Sequence, residues 1–225
     1  MGELSYLYTI LQSKYMVHSV IIVDDHNLFA QSLKGLIASF QNFEVVEIFK
    51  NGQELIDHLL TCENKPDIIL LDVRMPVMNG IETMEWVRKH LPKQKVLALT
   101  MEHDEDTIIK MIKAGCRGYL LKDIEPDEFL LALNCVNESG YYLNEESSVA
   151  SCSTGKEKIA DRLSHRELEF LHLACSELTY KQVADEMNLS PKTIDGYREN
   201  LFNKLNVRSR VGLVLYAVKN KMVAV

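Results

Sequence analysis

The first part of the chain alternates short apolar runs with longer segments of helical periodicity. The apolar runs, which predict strands, cover residues 19–23, 43–49, 67–71, 96–99 and 118–121. The segments with helical periodicity cover residues 26–40, 52–62, 80–90, 105–114 and 125–137. Short apolar runs between helices are typical of parallel strands that are buried on both faces. This pattern predicts an α/β fold, a doubly wound five-stranded parallel sheet in flavodoxin-like order.

Polar side chains stand where four of these runs end. They are Asp24 and Asp25, then Asp72, Thr100 and Lys122. Because the carboxyl ends of parallel strands meet at one edge of a sheet, we expect these groups to lie together. Carboxylates beside a hydroxyl and an ammonium suit a hard cation and a phosphoryl group. The sequence therefore predicts a site of that kind at this edge.

The last part of the chain has helix signals only. Ser164 and Glu167 have the spacing of a capping box for a helix that continues to about residue 175. A second helix is predicted from Thr179 to about residue 187, and Ser190 with proline next to it begins a third that continues to about residue 205. A fourth helix begins at residue 208 or 209. Short connections between these helices predict a helix-turn-helix with a supporting fourth helix.

The composition divides the chain into two domains, for which 225 residues are sufficient. We predict an N-terminal extension at 1–16, an α/β domain at 17–137, a polar linker at 138–160 and a helical domain at 161–225. Met16 directly precedes the first strand, so it is a candidate natural start. Residues 161–225 carry ten basic and eight acidic side chains, whereas the whole chain has a net charge of −7. The helical domain is therefore mildly basic, which permits nucleic-acid binding.

Two further features indicate the compartment. The five cysteines are scattered and include no Cys-x-x-Cys pair, which is typical of a reducing cytosol. No apolar run reaches the roughly 20 residues that span a bilayer. We therefore expect a cytoplasmic protein with no membrane partner.

Residues 17–137 resemble the receiver domain of two-component response regulators. The resemblance rests on Asp24-Asp25-His26, on Asp72 followed by Met75-Pro76 and Asn79-Gly80, on Leu99-Thr100, and on Gly118-Tyr119-Leu120-Leu121-Lys122. It implies that Asp72 takes a phosphoryl group from a histidine kinase. The Mg²⁺ ligands that it implies are Asp24 (through a water molecule), Asp25, Asp72 and the backbone carbonyl of Arg74. The switch residues that it implies are Thr100, Tyr119 and Lys122.

Residues 161–225 resemble the LuxR-type helix-turn-helix, and with a receiver ahead of it the chain resembles the NarL/FixJ class. The third helix is the predicted reader of DNA, because Ile194, Tyr197, Leu201 and Leu205 form an apolar stripe on one face. The candidate DNA contacts are Lys192, Thr193, Asp195, Gly196, Arg198, Glu199, Asn203, Lys204, Arg208 and Arg210. Asp195 and Glu199 stand where relatives often carry basic or neutral residues. We therefore hypothesise a preference for cytosine, because a carboxylate can accept a hydrogen bond from the N4 amino group of that base.

The family resemblance also implies partners. It predicts a homodimer through the fourth helix (Val211, Leu213, Val214, Leu215, Ala217 and Val218) that reads an inverted repeat in double-stranded DNA. A histidine kinase is the expected phosphodonor, and RNA polymerase is a further candidate partner. We expect the unmodified receiver to occlude the helical domain.

Two other classes compete with this interpretation. A magnesium-dependent phosphohydrolase would need a second aspartate at position 74, where the chain has Arg74. An interaction module with an inactive receiver would not need the complete set of charged site residues. We therefore predict a regulator that modifies its own aspartate and is not a turnover enzyme.

Overall fold

The α/β domain contains one parallel sheet. The computed structural model describes residues 17–101, 104–142 and 163–223. Within these residues the strands are β1 (His18–Val23), β2 (Phe43–Phe49), β3 (Ile68–Asp72), β4 (Lys95–Thr100) and β5 (Gly118–Leu121). They pair in the order β2-β1-β3-β4-β5, and all pairs are parallel. The predicted flavodoxin-like sheet is confirmed.

Helices cover both faces of this sheet. In the described part of the domain they are α1 (Asn27–Ala38), α2 (Gly52–Thr61), α3 (Gly80–His90), α4 (Glu105–Lys113) and α5 (Pro126–Ser139). Leu33 of α1 and Phe129 of α5 pack in the core on one face, whereas Leu55 of α2 and Val87 of α3 pack on the other. The central strands are therefore buried on both sides, which explains their continuous apolar runs.

The helical domain begins its helices where the capping signals predict. Its described helices are α6 (His165–Ala174), α7 (Tyr180–Glu186), α8 (Pro191–Leu205) and α9 (Arg210–Lys219). Ser164 and Thr179 each form a capping box, and the Ser190 side chain accepts from the backbone of Thr193. Asn188 has φ of 55° in the turn between α7 and α8, a conformation that asparagine tolerates. These two helices form the predicted helix-turn-helix.

Helix α4 presents apolar side chains to both domains. Met111 packs in the core beneath the sheet, whereas Ile108, Ile109 and Ile112 belong to the hydrophobic cluster of the helical domain. Their partners there include the apolar residues of α9, namely Val211, Leu213, Val214, Leu215, Ala217 and Val218. All six are buried. In this arrangement the predicted dimer face of α9 is therefore not open to a second copy.

Two predicted segments lie mainly or wholly outside the described residues. They are the extension at 1–16 and most of the linker at 138–160. The predicted linker begins too early, because α5 continues to Ser139 and Tyr142 is buried in the core of the α/β domain. The polar residues 138–140 are the end of that helix, where Gly140 takes the left-handed conformation. In the part of the chain that the structure describes, no helix has the length and apolarity needed to cross a membrane.

Candidate functional site

The predicted acidic site forms at the carboxyl edge of the sheet. Strands β1 and β3 are neighbours, with Val23 paired to Leu71, so the carboxylates that follow them meet. One ligand atom from each of Asp24, Asp25, His26 and Asp72 lies within 4.8 Å of the others. Three of these four residues are predicted metal ligands, and the structure brings them together.

Lys122 joins the two buried aspartates. Its Nζ donates a hydrogen bond of 2.9 Å to Oδ2 of Asp72 and lies 2.7 Å from Oδ2 of Asp24. The ammonium also lies 4.9 Å from the ring centroid of Phe29 on α1. Only 3% of the Lys122 side chain is exposed. A single buried cation thus offsets the charge of two buried carboxylates, an arrangement in which charge pairing is stronger than in water.

The environment of Asp72 favours additional positive charge. Burial raises the pKa of this carboxyl above its ordinary value, and the charge of Asp24 raises it further. The Lys122 ammonium and a 2.8 Å hydrogen bond from the Val73 amide to Oδ1 oppose this rise. Because the net direction is upward, Lys122 alone does not fully stabilise the carboxylate. A second cation would complete the compensation.

A cleft of about 460 Å³ opens beside the carboxylates. Its lining is Asp25, Val73, Arg74, Met75, Pro76, Asn79, Ile81 and Thr107. Gly80 closes the loop at its base, and its amide donates to the Val73 carbonyl at 2.9 Å. A Cβ atom at Gly80 would lie 2.4 Å from the Asp72 carbonyl oxygen, so only glycine fits. The loop is therefore held close to the strand end.

The other two predicted switch residues, Thr100 and Tyr119, lie on the neighbouring strands β4 and β5. Thr100 is buried at the end of β4, and the register pairs it with Leu121 of β5. Tyr119 is half-buried and packs against two clusters, the receiver-side core and the cluster that contains α9. The Tyr119 side chain therefore packs against apolar residues of both domains.

Helix α8 presents a polar face to solvent. Ile194, Leu201 and Leu205 are buried and Tyr197 is half-buried, as the apolar stripe predicts. The exposed residues on or next to this helix are Lys192, Thr193, Asp195, Glu199, Asn203, Lys204 and Arg208, and Gly196 is half-buried. The main contact of the α/β domain with the helical domain is α4 on α9, and the polar α8 residues just named are exposed.

Several basic candidates have protein partners. Arg210 is only 6% exposed, and its guanidinium donates to the carbonyls of Ala174, Ser176 and Leu178 at the end of α6. This geometry does not support its predicted phosphate contact, because the donors are already used to join α9 to α6. Arg198 pairs with Asp195 at 3.2 Å, an exposed interaction of the kind that contributes little to stability.

Lys204 has a more buried partner. Its Nζ donates a 2.6 Å hydrogen bond to Oε1 of Glu167, the carboxylate of the capping box that begins α6. Lys204 therefore stabilises the packing of α8 on α6 as well as lying near the predicted DNA face.

Known proteins share both halves of this architecture. Residues 20–134 match the response regulator receiver domain, and residues 161–217 match the bacterial regulatory proteins of the luxR family. A nitrate/nitrite response regulator protein homolog of Haemophilus influenzae is 33% identical over 204 residues, which cover 90% of this chain and 97% of that protein. The nitrate/nitrite response regulator NarL of Escherichia coli K12 is 27% identical over 210 residues, which cover 91% and 96%. The chain belongs to the NarL/FixJ class of two-component response regulators.

The fold of this response regulator is also found in solved structures. A structure of the two-component response regulator RcsB in complex with DNA is 26% identical, with a TM-score of 0.53. The alignment covers 90% of this chain and 98% of that one. This response regulator thus resembles in fold a relative whose structure was solved with DNA.

Two neighbours of the receiver site were absent from the predicted set. The His26 ring contacts Asp24 and Asp25, and the Phe29 ring lies against the Lys122 ammonium. His26 stands next to the acidic pair in the sequence, so its position could have indicated it. Phe29 gave no such signal, because an apolar residue on a helix is usually part of the core.

Proposed function

We propose that this response regulator accepts a phosphoryl group on Asp72 and that the modification changes how its helical domain binds double-stranded DNA. The observation that carries the proposal is the Asp72 carboxylate itself. Lys122 donates to one of its oxygens and the Val73 amide to the other, and Val73 lines an open cleft. An Asp72 oxygen attacks the phosphorus of a phosphohistidine on the kinase. The new O–P bond forms as the P–N bond breaks, and the imidazole leaves.

The residues fit Mg²⁺ as the ion of this reaction. Carboxylate oxygens of Asp24, Asp25 and Asp72 come within 4.8 Å of one another, and Arg74, whose carbonyl is the proposed fourth ligand, lines the adjoining cleft. Oxygen donors of this kind are the ligands that Mg²⁺ prefers. When bound, the ion neutralises charge on the transferred phosphoryl oxygens. Lys122 is placed to hold a further phosphoryl oxygen, because its Nζ already contacts Asp72.

Thr100 and Tyr119 carry the signal away from the site. The Thr100 hydroxyl would donate to the new phosphoryl group, and the backbone at the end of β4 would move with it. Tyr119 packs beside this strand and also against the cluster that holds α9. A change in its position therefore alters the packing between the two domains, which is a two-state contact that added charge can bias.

Helix α8 reads the DNA in this proposal. Its exposed residues include Lys192, Thr193, Glu199 and Asn203, Gly196 is half-buried among them, and Arg208 follows the helix in the sequence. Lys and Arg side chains hold phosphates, whereas Asn and Glu reach base edges. We keep the hypothesis that Asp195 and Glu199 favour cytosine and lower affinity for nonspecific DNA. The luxR-family match and the RcsB–DNA relative support this assignment.

The switch acts through α9 and leaves the reading face uncovered. Ile108, Ile109 and Ile112 of α4 cover α9, the helix that we propose as the dimer contact. Release of α4 would expose this apolar face to a second copy, and a dimer would then bind both halves of an inverted repeat. A histidine kinase supplies the phosphoryl group, and RNA polymerase is a candidate partner of the DNA-bound dimer.

Phosphodonor labelling tests the acceptor. Wild-type protein with Mg²⁺ and a small phosphodonor should gain one base-labile phosphoryl group that hydroxylamine removes, and Asp72→Asn should gain none. Asp67→Asn is the matched control, because Asp67 precedes β3 at the opposite edge, where its carboxylate accepts from Ser19 and lies 3.9 Å from His18. It should label as the wild type does. An equal signal in Asp72→Asn would exclude this acceptor.

DNA binding tests the output. Random duplexes should be selected with phosphorylated wild-type protein, and the affinity for the selected sites should be measured with and without phosphodonor. The proposal requires tighter binding after modification, and no such gain in Asp72→Asn. A Glu199→Ala protein that selects the same motif would contradict the cytosine hypothesis while leaving the phosphorylation switch intact.

A further inference from the structure

An imidazole lies within the acidic site. His26 directly follows Asp25, and its backbone amide donates a 2.9 Å hydrogen bond to Oδ1 of Asp24. Its Nδ1 lies 3.1 Å from Oδ1 of Asp25 and 3.3 Å from Oδ1 of Asp24. The residue is the N-cap of α1, yet its side chain makes no capping hydrogen bond. The ring is therefore turned toward the carboxylates and not toward the helix.

A simple hydrogen bond between the ring and Asp25 would explain only one of these contacts. The ligand atom of His26 also lies within 4.8 Å of that of Asp72, which stands on a different strand. The side chain is 67% exposed, so an ion from solvent can reach the nitrogen. One nitrogen and three carboxylate oxygens thus lie within 4.8 Å of one another.

This donor set differs in chemistry from a set of oxygens alone. Carboxylates, carbonyls and water suit Mg²⁺, whereas imidazole suits first-row transition ions such as Co²⁺ and Zn²⁺. A nitrogen ligand adds affinity for the second group and little for Mg²⁺, which favours oxygen. His26 can therefore change which divalent ions the site selects.

We propose that His26 Nδ1 is a direct ligand of this site for borderline transition ions, and that it increases the preference for Co²⁺ and Zn²⁺ over Mg²⁺. The inference concerns the ion site of the proposed function and rests on it. It predicts that the same receiver binds two chemical classes of cation, one through oxygens alone and one through His26 as well.

The test compares ion affinities of the full chain. His26→Asn retains a good N-cap residue and replaces the nitrogen donor by an oxygen. Calorimetry should show that this variant loses about tenfold or more in Co²⁺ affinity, while its Mg²⁺ affinity is unchanged or higher. His165→Asn is the matched control, because His165 is an exposed histidine at the start of α6. It should change neither affinity.

A spectroscopic measurement makes the test independent of the variant. Pulsed electron paramagnetic resonance of Cu²⁺, a paramagnetic ion that imidazole suits, should detect coupling to one histidine nitrogen in the wild-type protein, and ¹⁵N-histidine labelling should shift it. Absence of this coupling, or an unchanged Co²⁺ affinity in His26→Asn, would overturn the inference. Mg²⁺-dependent labelling of Asp72 in the same preparations separates the two proposals. If it persists, only the role of His26 has failed, whereas its loss in the wild type defeats the proposed function.

Discussion

Truncation of one side chain in α4 should release α9 without damaging the receiver. Ile112 is fully buried, and it packs in the cluster of the helical domain. When the two domains separate, this side chain is left against solvent, so its truncation then has little cost. Ile112→Ala should therefore destabilise the docked arrangement specifically.

The size of the effect follows from the burial. Removing a fully buried isoleucine to alanine costs about 2–5 kcal/mol. At the lower end of this range, a loss of about 2 kcal/mol shifts the equilibrium between docked and separated domains about 30-fold toward the separated form, since each 1.4 kcal/mol is a factor of ten. If each copy must open before it dimerises, the dimer association constant rises by the square of that factor, about 10³.

Thiol labelling measures the opening. Cys175 is buried in the cluster that α4 shares with α9, and it lines a cavity of about 280 Å³ together with Lys113 of the receiver. Its labelling rate, followed by peptide mass spectrometry, should rise about 30-fold in Ile112→Ala, in proportion to the open population. Sedimentation equilibrium should report the stronger self-association.

Met111→Ala is the matched control on the same helix. Met111 is equally buried but packs in the receiver-side core, where Cys116 also lies. This variant should destabilise the receiver and raise labelling of Cys116 more than that of Cys175. If Ile112→Ala and Met111→Ala raised Cys175 labelling equally, or if Ile112→Ala did not alter self-association, the role assigned to this contact would be refuted.

Three further substitutions test the local geometry. Val77 has φ of 69° and is 83% exposed, so Val77→Asn should remove left-handed strain and raise the free energy of unfolding of the receiver by about 1 kcal/mol, measured with urea. Arg210→Lys should lower the melting temperature of the helical domain, because one ammonium cannot replace the three guanidinium bonds, a loss of about 1.5–3 kcal/mol. The hydrogen bond from Lys204 holds the pKa of Glu167 below its ordinary value of 4.5, so its contribution to stability is complete above that value and is lost as the pH falls through the folded-state pKa. Glu167→Gln should therefore be less stable than wild type near neutral pH, and the difference in unfolding free energy should shrink in acid.

Each of these three has a clear contrary result. An unchanged urea midpoint for Val77→Asn would mean that the loop bears no strain. A normal melting temperature for Arg210→Lys would indicate that its carbonyl contacts are dispensable. A constant gap between Glu167→Gln and wild type across the acid range would exclude the ionised Glu167–Lys204 pair as its cause.

The sequence by itself determined the sheet, the acidic edge and the helix starts. Each depends on residues close together along the chain, because strand burial, strand ends and capping are encoded by local order. Asp72 directly follows its apolar run, and Ser164 stands three residues before Glu167. Parallel pairing then brings the strand ends to one edge without further information.

Tertiary structure decided the roles of residues whose partners are distant in the chain. From the sequence, Arg210 is predicted to contact DNA because other basic residues lie near it. In the fold it donates to backbone carbonyls of residues more than thirty positions earlier in the chain. The sequence pattern indicates that Ile112 belongs to the core of the receiver, but in the fold it packs in the cluster of the helical domain. His26 follows the acidic pair in the sequence, but only the fold brings Asp72 within ligand distance of it. Local periodicity identifies which side chains are apolar or charged, but only the packed fold decides which of them meet.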